Sequence, residues 1–151
     1  MPERRTIERA RRDRRQGKAP STQAGEFVRE EMEHIREGKH GARSTKQAIA
    51  IGLSKARRAG VELPAPSRGS RRTRRQAQRD LERGHSTHGQ ASPKRSRATM
   101  QALRHEGRSA ASHAALARQA KTSSRSRTHA QRSAAARRGA HTRARQRAAA
   151  H

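Results

Sequence analysis

Only twelve of the 151 residues are Leu, Ile, Val or Phe, and Trp and Tyr are absent. That shortage constrains the fold more than any motif does. Ordering a backbone costs about 1–2 kcal/mol per residue, which buried apolar surface must offset. A chain with less than roughly 20% of these residues and a high net charge has the composition of a disordered protein. The expectation is therefore a mostly α chain with extensive disorder: a short helical hairpin, then basic helices, then a disordered tail.

The few large apolar residues are clustered. Residues 39–60 hold the densest group, Ala48, Ile49, Ala50, Ile51, Gly52 and Leu53. Ser44 suits a helix start, because its hydroxyl can accept the N–H of Gln47. Gly60 suits a helix stop, since glycine takes the left-handed conformation at little cost. Upstream, Phe27, Val28, Met32 and Ile35 form a stripe at helical spacing. The predicted hairpin packs residues 22–37 against 45–59, with 38–43 as the connection, through Phe27, Val28, Met32, Ile35, Ile49 and Leu53. The same faces could pair two chains through residues 22–59, so a homodimer is an equal expectation.

Charge is the second constraint. The net charge is +26, with 32 Arg and 6 Lys. Residues 1–66 carry 16 basic against 9 acidic side chains, and residues 67–151 carry 22 against 3. Such a chain repels itself unless a polyanion neutralises it. Five acidic residues fall in the second predicted helix (Glu26, Glu30, Glu31, Glu33 and Glu37), making it the one acidic segment. Without Cys there are no disulfides, thiolate metal sites or Cys nucleophiles. No apolar run approaches a membrane span, and Glu3, Glu8 and Asp13 break up any transit-peptide pattern. A soluble, cytoplasmic protein is expected.

Composition divides the chain into a basic N-terminal arm (1–20), the hairpin (21–63), a Pro-containing linker (64–70), short basic helices (71–122) and an Ala/Arg-rich tail (123–151). Helices are expected near 3–16, 71–83, 93–106 and 110–120, those after residue 70 too poor in apolar side chains for more than transient packing. The phrase His40-Gly41-Ala42-Arg43-Ser44-Thr45-Lys46 returns as His88-Gly89-Gln90-Ala91-Ser92-Pro93-Lys94, and in shortened form around Gly107. Partial duplication or low-complexity coincidence would each produce this. Before each copy a glycine, Gly38 or Gly84, closes one helix, and within it a serine, Ser44 or Ser92, opens the next.

Catalytic motifs are missing: there is no phosphate loop, nucleophile elbow or paired carboxylates in an apolar setting. No cofactor is expected. His85 and His88 are separated by two residues, but a metal would need further ligands, with no Cys and few carboxylates to supply them, so no metal site is expected either. Ser92-Pro93-Lys94-Arg95 resembles the SPKK-type element of histone tails, but it also reads as a helix start with Pro at its first position. Residues 103–118 have helix-turn-helix spacing without the third helix that fold needs.

The runs Ser21-Thr22-Gln23-Ala24-Gly25-Glu26-Phe27-Val28-Arg29-Glu30-Glu31 and Glu37-Gly38-Lys39-His40-Gly41-Ala42-Arg43-Ser44-Thr45-Lys46-Gln47-Ala48-Ile49-Ala50-Ile51-Gly52-Leu53 resemble an uncharacterised family of short basic bacterial proteins. That resemblance implies a bacterial origin and no particular activity. The tail is similar in composition to histone-like Ala/Arg-rich tails.

The functional expectation is a non-enzymatic, histone-like, nucleoid-associated protein that binds nucleic acid by phosphate neutralisation. The candidate contacts are Arg71, Arg72, Arg74, Arg75, Lys94, Arg95, Arg97, Arg137, Arg138, Arg143, Arg145 and Arg147. With Phe27 the one Phe, Tyr or Trp in the chain, base stacking would fall to arginine, which favours double-stranded DNA over single strands and RNA. The alternatives are a protein-interaction module using the acidic helix 22–37, and an RNA- or ribosome-associated basic protein.

Overall fold

The computed structural model describes residues 1–86 and 92–150. These residues form seven α-helices and one 3-10 turn, with no strand among them: α1 (Arg4–Arg15), α2 (Pro20–Arg36), α3 (Thr45–Arg58), α4 (Arg71–His85), α5 (Pro93–Arg104), the 3-10 turn Ser109–Ala111, α6 (His113–Arg125) and α7 (His129–Ala148). Helix ends follow local chemistry. Ser44 caps α3 by accepting the Gln47 N–H at 3.2 Å, while the Gln47 side chain reaches back to the Arg43 N–H at 2.7 Å. Gly60 ends that helix at φ 89°, a conformation costly for a residue with a Cβ.

The centre of the fold is α2 against α3, with α1 packed on α2 and α4 packed on α3. Phe27, Met32 and Ile35 are buried, and Val28, Ile49 and Leu53 are half-buried. Two small apolar clusters result. One joins Met32, Ile35, Ala42 and Ala48 to Ala110 and Ala111; the other joins Ala10, Ala24, Phe27, Ala56 and Val61. Residues past 70 thus contribute more than transient packing. Arg36 Nε donates to the Ala111 carbonyl at 2.9 Å and Thr45 Oγ1 to the Ala110 carbonyl at 2.7 Å, which seats the 3-10 turn on α2 and α3. The exit from α3 is fastened at its start. Arg57 on α3 holds the carbonyls of Leu63 and Pro64 at 3.0 and 3.1 Å, and α4 returns so that Ser54 Oγ meets Asp80 Oδ2 at 2.6 Å. Burial pushes the Arg57 guanidinium below its usual pKa, against the opposing field of Asp80.

Scarcity of large apolar side chains is answered by close approach. A Cβ on Gly52 would lie 2.7 Å from Val28 Cα, and one on Gly41 would collide with the backbone of Glu106 and Gly107. Gly41 and Ala42 also donate their N–H groups to the carbonyls of Leu103 and Gly107, at 2.8 and 3.0 Å. Gly52→Ala is expected to destabilise the chain by about 1–3 kcal/mol through overpacking, more than the roughly 1 kcal/mol of helix propensity that alanine adds. Urea denaturation checks this, and a stabilised variant would show that α2 and α3 have room to separate.

Polar groups make up the rest of the interior. Glu30 and Glu31 are 2% and 0% exposed. Lys55 Nζ reaches from α3 to Glu31 Oε2 at 2.6 Å and Glu30 Oε1 at 3.8 Å. Between α1 and α2, Arg9 Nε lies 2.9 Å from Glu26 Oε2. Asp13 is held by Lys18 Nζ at 2.7 Å.

The expected disorder of 123–151 is overturned, because residues 129–148 are helical. Alanine supplies the best helix propensity. Thr128 and Gln131 supply a capping box, each side chain bonding the other's backbone N–H at 3.2 and 3.0 Å. Neither device needs a buried face, and α7 has none. From the sequence, helix is expected at 129–138 and 142–150 only on a polyanion; propensity and a local cap give one continuous helix without it. No helix among the described residues is long and apolar enough to cross a membrane.

Candidate nucleic-acid interface

All twelve candidate contact residues are exposed, on three helices. Arg71, Arg72, Arg74 and Arg75 open α4. Lys94, Arg95 and Arg97 open α5, where Pro93 is the first helical residue and Ser92 makes no side-chain cap. Arg137, Arg138, Arg143, Arg145 and Arg147 lie on α7; at 100° per residue they ring the helix rather than share a face. The 20 residues of α7 make a cationic rod about 30 Å long. The second copy of the repeated phrase falls mostly on residues 87–91, outside the described residues, as does His88 of the histidine pair.

None of the twelve pairs with a carboxylate among the described residues. Eight of the twelve carboxylates are engaged elsewhere: Glu3, Asp13, Glu26, Glu30, Glu31, Glu37, Glu62 and Asp80 all have a basic partner within 4 Å. Those partners all lie within residues 1–85. The acidic helix spends its charge inward and sideways, on Arg9, Lys55, His40 and Lys39. Hydrogen bonds from His34, and then from Lys39, hold the Glu3 carboxyl below its usual pKa, and the Glu37 partner raises that of Lys39.

Two open clefts gather further cations. One, of about 460 Å³, is lined by Pro66, Ser67 and Arg68 together with Ser126, Arg127, Gln131, Ala135 and Arg138. It brings Arg138 beside two arginines that sequence reasoning did not select. The other, of about 400 Å³, lies where α3 and α6 begin, among Arg43, Ser44, Thr45, Lys46, Ser112 and Arg118. Ser112 caps α6 through the Ala115 N–H at 3.2 Å, as Ser44 caps α3. The signal for Arg43 and Lys46 was a capping serine between cations; Arg118 carried none, and their convergence depends on α3 and α6 meeting in space. No described helix carries an acidic residue in its first turn. Cations at an N-terminus oppose the helix dipole, and a bound anion reverses that cost.

One group of metal-ligating side chains also converges among the described residues, Glu31, His34 and His40, on α2 and the loop after it.

Residues 3–68 match a family of unknown function, DUF6496. The matched stretch takes in α1, α2, α3 and the turn into α4, so it covers the helical centre and stops short of the most basic helices. No curated protein and no solved structure matches the chain.

Proposed function

We propose that this chain is a non-enzymatic nucleic-acid-binding protein that neutralises phosphates, with duplex DNA as its favoured target and little sequence preference. The observation that carries the reading is the partition of charge. Eight of the twelve carboxylates have a basic partner, in every case within residues 1–85, while the twelve candidate side chains of α4, α5 and α7 face solvent with no carboxylate partner among the described residues. Guanidinium binds phosphate bidentately, and it makes up most of that surface. Phe27, the one Phe, Tyr or Trp side chain, is 1% exposed, so stacking on unpaired bases would fall to arginine and histidine. That favours duplex over single strands. A histone-like role at a bacterial nucleoid follows from the same reading. The acidic helix supports the protein-docking alternative less well, since most of its carboxylates already have partners in the chain.

The test is fluorescence anisotropy of the full chain with a short DNA duplex across a salt series. Replacing Arg137, Arg138, Arg143, Arg145 and Arg147 with Gln is expected to flatten the slope of log affinity against log salt by about 0.9 for each phosphate no longer neutralised. Circular dichroism confirms that α7 stays helical. An unchanged slope removes α7 from the interface, and tighter binding to a single strand of equal length overturns the duplex preference.

A further inference from the structure

We propose that Glu31, His34 and His40 form a binding site for one divalent transition-metal ion of the zinc class. Glu31 and His34 are three residues apart on α2 and so share a face. His40 returns to that face from the loop after the helix. Candidate donor atoms of the three lie within 4.8 Å of one another. Zinc bound at about 2.0–2.1 Å from each ligand would hold the donors roughly 3.3 Å apart, so the site closes by a small swing of one imidazole.

The His40 ring is held in a specific tautomer. Its Nδ1 lies 3.0 Å from the Gly41 carbonyl oxygen, which can only accept, so Nδ1 carries the proton. In the neutral ring Nε2 then presents a lone pair, 3.2 Å from Glu31 Oε1. That oxygen is buried and has no hydrogen-bond partner. Two acceptors facing each other away from water need positive charge between them. A proton on Nε2 is one answer, but the contact lacks hydrogen-bond geometry, and a proton does not require a second imidazole. His34 is there nonetheless, edge-on to His40 with ring centres 6.0 Å apart.

The surroundings suit a metal. Lys55 holds Glu31 Oε2 at 2.6 Å, which leaves Oε1 turned toward the histidines. Glu3 Oε1 lies 2.9 Å from His34 Nε2 and can orient that ring as an outer partner. The Glu3 backbone N–H is itself anchored on Glu30 Oε2 at 3.1 Å. Glu3, Glu30, Glu31 and Glu37 outnumber Lys39 and Lys55 around the site, which makes it locally acidic in a chain that is otherwise strongly cationic. Glu31 and His40 are deeply buried, whereas His34 is 13% and Glu3 47% exposed, which gives an ion its way in. Two histidines and a carboxylate leave a fourth position for water.

The experiment uses the chelator-treated full chain. Titration with Co(II) is expected to give visible d–d absorption saturating at one equivalent per chain, and Zn(II) is expected to displace it. Loss of an outer-shell partner alone costs about 10–100-fold in metal affinity. Removing a ligand in His40→Gln, Glu31→Gln or His34→Gln should therefore weaken Co(II) binding by more than about 100-fold. A variant with His85, His113, His129 and His141 changed to Gln should bind as the parent does. His34 sits at the rim, so His34→Gln reports even where the buried substitutions unfold the chain, with circular dichroism as the check. No saturable absorption, or absorption that survives His34→Gln and disappears in the four-histidine variant, overturns the proposal.

Discussion

Between about 50 and 200 mM salt, the affinity of this chain for duplex DNA is expected to fall by about three to five orders of magnitude. That is the loss for a protein covering roughly six to ten phosphates, each contact releasing condensed counterions. The chain has the charge for it: 22 basic against 3 acidic side chains in residues 67–151. Internal pairing does not remove that surplus, since the twelve candidate residues are exposed and Asp80 is already committed to Arg58, Ser54 and Gln76. Anisotropy on a duplex and on its scrambled-sequence counterpart measures both halves of the reading. The two duplexes should give the same steep line, shifted little. A response flat with salt, or a preference of more than about tenfold for one sequence, would falsify phosphate neutralisation as the mode of binding.

Lys55→Met is expected to cost about 3–5 kcal/mol of stability, the usual result of stranding a buried charge by removing its partner. Among the described residues the ammonium is the one group bridging Glu30 and Glu31, whose side chains are 2% and 1% exposed. Methionine keeps most of the stem's packing, so the loss reports charge rather than volume. Urea denaturation in the presence of chelator measures it without a bound cation standing in for lysine. Changing Glu31 to Gln in the same chain should recover part of the loss. A Lys55→Met chain within about 1 kcal/mol of the parent would mean that the carboxylates are protonated or solvated in the folded state.

Much of the helical layout was legible. The stripe of Phe27, Met32 and Ile35, the Ser44 cap and the Gly60 stop place α2 and α3 within a few residues of where they lie. Ser70 and Pro93 likewise mark the starts of α4 and α5. The interior was not legible. Glu30 and Glu31 read as part of a solvated acidic face until Lys55, 24 residues on from Glu31, is brought beneath it. Gly38, just before the repeated phrase, reads as a helix stop, but nothing in the phrase marks Gly41 as the seat for the backbone at 106–107. Nothing in the spacing marks His40 as a ligand, because His34 and Glu31 share a helix with each other and not with it.

What the sequence determined by itself is whatever acts within about four residues or depends only on composition: caps, stops, apolar stripes, alanine-driven helicity and the surplus of positive charge. Tertiary structure decided which charges are buried, where small residues let backbones touch, and which side chains meet across 65 or 75 residues, as Thr45 with Ala110 and Arg36 with Ala111 do. The physical reason is that local bonds and periodicity follow from covalent spacing. Burial and long-range pairing follow instead from how finished helices dock, and in a chain so short of large apolar side chains, docking rests on glycine, alanine and buried ion pairs, which carry no periodic signature.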